Sequence, residues 1–371
     1  NVVSMDIGGT TTDIGQVINS HVSESRHGNV EGVPISFGLC EISSPGVGGS
    51  SILSVNGKNI QVGPESVGAV PGPASFGRGG KESTMTDVNL LMGLLDPKTF
   101  FGGGLKLDID RARAAIDQNI ASQLGITSDE ALIKLRDAYD AKVSYELTEF
   151  AKVSDETVLL AFGGAGPMSA CGVADKSGIE TIFIPKTAAV FSAYGIGSCD
   201  IGQSYSAVLK KFDNETLEVA YNNLAEKAQR DMFAEGYSAG EYDISAQIVG
   251  FKGTDETAHE LTGKAIFPKA LSNSDAAILE FSARKKLRVD SNKKVKISQS
   301  SVATKSSVRS IFGDNQEWND LPVYEVNKMK SGNHSIGPAV IEDEYFTCLV
   351  RPGWKFVVTE LGDICLTKGV K

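Results

Sequence analysis

The sequence predicts an α/β protein in two consecutive parts: an α/β lobe over residues 1–205 and a smaller α+β, strand-rich C-terminal domain over residues 206–371. Three observations carry this. Residues 2–17 read as an apolar strand, a Gly-Gly turn and a return strand. Residues 158–185 read as strand, helix and strand in a short span, which suggests a parallel βαβ unit. Past Tyr205 the pattern changes to one amphipathic helix among short strands joined by turns.

Composition bounds the function. A chain of 371 residues, 41% of them hydrophobic, has material for sizeable cores in two or three domains. A formal charge of -10 without a basic tract argues against a nucleic-acid partner. No apolar run approaches the roughly 18 residues of a membrane span, and no signal peptide is visible. The five cysteines are scattered and form no CxxC, so unpaired thiols in a reducing cytoplasm are expected. The four histidines fall in no ligand spacing. The chain opens at Asn1, directly in a strand, and reads as a fragment or as one product of a larger polypeptide.

In the first hairpin Val2, Val3, Met5 and Ile7 suit a buried strand, and Ile14, Val17 and Ile18 its return. Gly8-Gly9 permits backbone angles that a side chain would forbid. Thr10, Thr11 and Thr12 follow, so the turn can aim amides and hydroxyls at an anion, as phosphate nests do. Asp6 closes the strand, where a carboxylate can hold Mg²⁺ through water. On these residues alone an ordinary polar hairpin remains an equal alternative. Pro45 to Ser51 is a loop, and Val55-Asn56-Gly57-Lys58 signals a second hairpin. Gly63 to Gly80 is too rich in Gly and Pro for regular structure, while Val67, Val70 and Phe76 argue for a packed loop.

Helices follow. One begins with Thr86 or Asp87 as N-cap and stops before Asp96-Pro97. A second runs from Asp108 or Asp110 to about Leu124, with Ile109, Ala112, Ile116 and Ile120 on one face. Thr127 and Glu130 form a capping box for a third, whose stripe is Leu132, Leu135, Tyr139, Val143, Leu147 and Phe150. Glu146 and Glu149 lie off that stripe, on a solvated face. Val158 to Phe162 is an apolar strand. It enters Gly163-Gly164-Ala165-Gly166-Pro167, where glycines let backbone approach a ligand and a helix N-terminus carries partial positive charge. After strand 181–185, Ala188 to Gly197 is small and apolar and is expected to be buried.

In the second part Leu217–Glu235 is an amphipathic helix, Asp243–Phe251 a strand that Ala258–Phe267 continues across a turn, and Ala276–Lys285 a helix. Val289 to Ser310 alternates like an exposed sheet, around Val295 and Ile297. The remainder to Val358 reads as short strands.

The hairpin around Asp6 and the turn at Gly163 resemble the two nucleotide-binding elements of the actin-like ATPase (ribonuclease H-like) superfamily. With the Gly46–Ser50 loop, Gly63–Gly80, Thr84–Gly93, Gly337–Glu342 and Pro352-Gly353-Trp354, the chain resembles the hydantoinase A/oxoprolinase family over nearly its whole length. Ala189-Val190-Phe191-Ser192-Ala193-Tyr194-Gly195 looks closest to the acetone and acetophenone carboxylase branch. The resemblance implies ATP and Mg²⁺ as cofactors. It puts Gly8, Gly9, Thr10 and Thr11 on phosphate, Asp6 on Mg²⁺ through water, and Gly163, Gly164 and Gly166 around the adenosine. Asp13 orients the hairpin or a water, or is a structural cap. Gly48, Gly49, Ser50 and Glu65 are candidates for the substrate side. The implied reaction is phosphoryl activation of a carbonyl or enol oxygen, either in ketone carboxylation or in hydrolysis of a cyclic amide; a non-catalytic nucleotide-binding or assembly subunit is the alternative of another class, and a sugar-kinase relative fits the downstream motifs poorly. The implied partners are the small-molecule substrate, a hydantoinase B-type subunit and a further N-terminal half. Family members usually carry an earlier Asp-x-Gly-Gly-Thr hairpin that is not in this sequence.

Overall fold

The computed structural model describes residues 1–19, 21–25, 28–30, 33–34, 39–262, 265–287 and 300–369. Contacts divide the chain into two compact units, Asn1–Ser192 together with Lys293–Lys371, and Ala193–Asn292.

The first unit starts with β1 (Val2–Ile7) and β2 (Thr12–Ile18), antiparallel with Met5 opposite Ile14 and Asp6 opposite Asp13. Alternation places Val3, Met5 and Ile7 in the core, all fully buried, and leaves Asp6 on the other face. β3 (Ser51–Asn56) and β4 (Asn59–Ser66) form the hairpin expected at Gly57, whose φ is +63°. Of the next loop, Phe76 packs against the core while Val70 is exposed.

α1 (Met85–Leu91) starts two or three residues earlier than expected. Thr84 is its N-cap and accepts the Asp87 amide, and the Asp87 carboxylate accepts the Thr84 amide, so Asp87 is the third residue of a capping box. α2 (Ile109–Ile116) is capped by Asp108 and continues through a π-turn at Asp117–Ala121 to Leu124; Ile109 is exposed, so its stripe begins at Ala112. α3 (Ser128–Phe150) carries the Thr127–Glu130 capping box. Its buried stripe is Leu132, Leu135, Tyr139, Val143 and Leu147. Glu149 is exposed, and Glu146 is half-buried and paired with Lys142 at 2.5 Å.

β5 (Val158–Phe162), α4 (Gly166–Ser177) and β6 (Thr181–Ile184) are the parallel βαβ unit, with Val158 opposite Thr181. β5 also lies parallel to β1, with Asp6 opposite Phe162. α5 (Phe191–Ser198) follows. The segment around it is less buried than its composition suggests: Ala188 is buried, but Val190, Tyr194 and Ile196 are exposed.

The second unit is a four-stranded antiparallel sheet with one helix. β7 (Ile201–Val208), α6 (Asn214–Ala234), β8 (Asp243–Lys252), β9 (Asp255–Glu260) and β10 (Ala276–Lys285) give the strand order β7-β10-β8-β9. Leu217, Ala228 and Met232 of α6 share a core with Ile248, Leu279 and Phe281. Ala276–Lys285 is a strand and not the expected helix. Ala277, Leu279, Phe281 and Ala283 are buried at alternate positions, and that period of two is the strand signal.

The rest of the chain returns to the first unit as β11 (Ser307–Phe312), β12 (Trp318–Glu325), β13 (Asn333–Ile336), β14 (Ala339–Glu342), β15 (Thr347–Val350), β16 (Trp354–Val358) and β17 (Ile364–Lys368). β17 pairs antiparallel with β6, Ile364 opposite Ile184, so the central sheet runs β13-β16-β17-β6-β5-β1-β2. The compact units therefore do not follow a single cut at residue 205. The apolar faces of β16 and β17 find their core on the sheet that residues 2–184 begin. Of the expected alternating segment Val289 to Ser310, residues 289–299, with Val295 and Ile297, lie outside the described residues.

Candidate nucleotide site

β1 and β5 are parallel neighbours, and both Gly-rich turns emerge at their carboxyl ends, where open α/β sheets bind ligands. The first turn closes by the Gly8 amide donating to the Thr11 carbonyl at 3.0 Å, which leaves Gly9 and Thr10 exposed at the tip. Neither Gly8 nor Gly9 adopts a positive φ. A Cβ on Gly8 or Gly9 would meet only ordinary contacts, at 3.7 and 3.6 Å; the close packing is at Gly48, where a Cβ would lie 2.6 Å from the Gly9 carbonyl oxygen. The Gly49 amide donates to the Gly8 carbonyl at 3.0 Å and the Ser50 amide to the Gly9 carbonyl at 2.6 Å. Thr12, wholly buried, donates through Oγ1 to the Val47 carbonyl at 2.5 Å.

The left-handed backbone sits at the second turn instead. Gly163 has φ +82°, and a Cβ there would fall 2.4 Å from Asp6 Oδ1 and 2.5 Å from the Ile7 carbonyl oxygen. The Ala165 amide donates to that same Ile7 carbonyl at 3.1 Å, which clamps the two turns together. Gly166 packs inward, its Cβ position 3.4 Å from the Met5 carbonyl oxygen. Gly164 is exposed, with nothing within 4 Å of where its Cβ would be. Ala165, the N-cap of α4, makes no side-chain cap hydrogen bond.

Asp6 and Asp13 are cross-strand partners and so share a face. Like charges directly opposite repel, and a cation or donors relieve that cost. Each carboxylate takes one serine hydroxyl: Ser192 Oγ donates to Asp6 Oδ2 at 2.6 Å, and Ser44 Oγ donates to Asp13 Oδ1. Asp6 is half-buried and Asp13 exposed.

The structure thus brings together Asp6, Asp13, Gly8, Gly9, Thr10, Thr11, Gly163 and Gly164. Gly48, Gly49 and Ser50 are buried behind the hairpin, with the Gly49 and Ser50 amides spent on it. Glu65 is exposed and, among the described residues, makes no hydrogen bond to the hairpin; its neighbour Ser66 does, through Oγ to Thr10 Oγ1 at 3.4 Å. Sequence reasoning gave no role to Ser192 or Ser44. Ser192 stands in a stretch notable for its composition, but nothing local links it to a residue 186 positions away.

The exposed tip, the open space at Gly164 and the carboxylate pair between them fit a Mg²⁺–nucleotide. Mg²⁺ takes one or two carboxylates with substrate phosphates and keeps several waters.

The profile of the hydantoinase/oxoprolinase family matches residues 1–205, and that of the hydantoinase/oxoprolinase C-terminal domain matches residues 275–362. The chain is 27% identical to the acetophenone carboxylase gamma subunit of Aromatoleum aromaticum, over 95% of this chain and 54% of that protein. It is 26% identical to the caprolactamase alpha subunit of Pseudomonas jessenii, over 100% of this chain and 58% of that protein. 5-Oxoprolinase 1 of Arabidopsis thaliana is 27% identical over 98% of this chain and 32% of its own length. The chain therefore spans about half the length of the first two relatives, and less of the third. Among solved structures, nucleotide-free acetone carboxylase superposes with a TM-score of 0.85 at 22% identity, over 99% of this chain and 58% of that one, a likeness of fold. The ATP-dependent caprolactamase of Pseudomonas jessenii superposes at 0.77 with 25% identity, over 100% of this chain and 59% of that one. With more than half of its residues inside the family profile, the chain belongs to the hydantoinase/oxoprolinase family.

Proposed function

We propose that this chain is part of an ATP-dependent enzyme that activates a carbonyl or enol oxygen by phosphorylation, in ketone carboxylation of the acetone and acetophenone type. The observation that carries the reading is the pair of clamped glycine turns at the ends of β1 and β5, with Asp6 between them. ATP, when bound, supplies the phosphoryl group that makes an unreactive oxygen reactive. The residues do the positioning that such chemistry mainly requires. Gly8, Gly9, Thr10 and Thr11 present backbone and hydroxyl groups to phosphate. Asp6, with Asp13 opposite, offsets Mg²⁺ charge through water. Gly164 gives the adenosine room, while Gly163 and Gly166 hold its turn against β1. The caprolactamase and 5-oxoprolinase relatives favour a second reading, hydrolysis of a cyclic amide by the same activation. Relatives named as gamma and alpha subunits support assembly with partner chains; by the family resemblance these are a hydantoinase B-type subunit and the region that carries the family's other hairpin.

The test is Asp6→Asn in the assembled enzyme. The amide keeps the shape and drops the charge, so the fold stays and most Mg²⁺-dependent ATPase activity goes. ATPase within about twofold of wild type, at an unchanged Mg²⁺ midpoint, removes the metal-positioning role and leaves a nucleotide-binding or assembly subunit without turnover.

A further inference from the structure

Asp6 is held on two sides by unlike means. The Gly163 backbone closes on Oδ1 so tightly that no Cβ fits there. Among the described residues the other oxygen is held by one hydroxyl, Ser192 Oγ to Oδ2 at 2.6 Å. Ser192 itself is exposed, and a hydrogen bond in contact with water adds little to stability. Its consequence lies in direction: it selects one carboxylate rotamer and occupies one lone pair of Oδ2, leaving the others to face outward.

Ser192 does not hang free. Just before it, the Ala188 carbonyl accepts the Gly163 amide at 2.9 Å, and Ala188 is wholly buried. The Phe191 ring meets Phe162 edge-on, with centroids 5.0 Å apart. Gly163, Phe162 and Asp6 are therefore each tied to a residue of the 188–192 segment. The glycine turn and the carboxylate are set by one short stretch, and the serine is its last link.

We propose that Ser192 is a positioning residue for Asp6, fixing the carboxylate in the orientation that takes up the hydrated Mg²⁺ of the nucleotide. The proposal rests on the nucleotide reading given above. Without the hydroxyl the Oδ2 side is no longer fixed, so metal is captured less well while the nucleotide's own contacts stay.

The experiment measures ATP binding and ATPase in the assembled enzyme against Mg²⁺ concentration, for wild type, Ser192→Ala, Ser192→Thr and Asp6→Asn, with thermal melts of each. Ser192→Ala is expected to raise the Mg²⁺ midpoint about three- to tenfold, the range that one ordinary net hydrogen bond spans. Its melting temperature and its Mg²⁺-free ATP affinity should match wild type. Ser192→Thr, which keeps the hydroxyl, should restore the midpoint. A wild-type midpoint in Ser192→Ala, with Asp6→Asn impaired, overturns the positioning role and leaves the nucleotide reading standing. A lowered melting temperature with equal loss of ATP affinity with and without Mg²⁺ also overturns it, because the serine is then structural. If wild type itself shows no Mg²⁺-dependent nucleotide binding and Asp6→Asn changes nothing, the nucleotide reading fails and the Ser192 assignment falls with it.

Discussion

Gly163 and Gly164 are adjacent and chemically identical, yet they face opposite constraints. At Gly163 a methyl group meets the Asp6 carboxylate and the Ile7 carbonyl oxygen, and φ is +82°. At Gly164 there is open space, and φ is not in the left-handed region. Gly163→Ala is therefore expected to destabilise the protein by about 2–4 kcal/mol, from overpacking together with backbone strain. Gly164→Val should leave the melting temperature within a degree or two, a change of about 0.5 kcal/mol or less, and, on the proposed placement of the adenosine, weaken nucleotide binding. Thermal melts of both variants with and without Mg²⁺–ATP separate the outcomes. Gly164→Val that unfolds, or that binds nucleotide as wild type does, contradicts the placement.

At the scale of elements, α3 and α4 approach closely through Gly172, whose Cβ position lies 2.0 Å from Asp140 Oδ2 and 2.9 Å from an Arg351 guanidinium nitrogen. In a solvated helix Gly→Ala stabilises by about 1 kcal/mol. Here the sign reverses: Gly172→Ala is expected to cost about 2 kcal/mol or more, read as a lower urea midpoint, because the methyl group overlaps the carboxylate of the facing helix. Asp140 is itself unusual. It is wholly buried with neither oxygen hydrogen-bonded among the described residues, and Arg351 stands 3.7 Å away. Burial pushes its carboxyl from the ordinary 3.8 up to about 6, against the downward pull of Arg136 and Arg351. A raised folded-state value means that the protonated form is the favoured one. Its contribution to stability is full below pH 3.8 and is lost as pH rises through about 6. Stability measured against pH for wild type and Asp140→Asn should show wild type losing ground to the variant across that window. Parallel curves would place the pKa at its ordinary value.

At the scale of the whole molecule, the candidate site and the C-terminal strands share one sheet. β1 and β5 carry the two turns, while β16 and β17 extend the same sheet past β6. Trp354, 1% exposed, anchors that extension. Its Nε1 donates to Asp175 Oδ1 at 3.1 Å, and Lys368 bonds the same oxygen at 2.6 Å while lying 5.8 Å over the indole. Trp354→Ala is expected to cost about 3–5 kcal/mol. The loss should reach the two glycine turns, because the strands belong to one hydrophobic core. Amide exchange reads this directly: protection in β1 and β5 should fall together with that in β16 and β17. Loss confined to the C-terminal strands would mean that the sheet opens in parts.

Much of the local architecture was legible in the residues themselves. The first hairpin, the second at Gly57, the capping box at Thr127 and Glu130, the stripe of α3 and the βαβ unit around α4 each follow from period, caps and turn chemistry within a few residues of one another. Ala276–Lys285 reads as a helix because Ala, Leu, Glu, Arg and Lys are strong helix formers, but its apolar residues alternate, and pairing with β7 and β8 overrides the propensity. Of the site, the residues that line the two turns could be named, since the glycines, hydroxyls and Asp6 are contiguous in two short runs. Tertiary structure alone decided the rest. It set Gly163 against Asp6, Ser192 on the carboxylate's other oxygen, and β17 beside β6. The physical reason is one of range. Dihedral preferences, caps and amphipathic period act between neighbours and leave a trace in the sequence, whereas a hydrogen bond or strand pairing between residues nearly two hundred positions apart is selected by the burial of the whole sheet and leaves none.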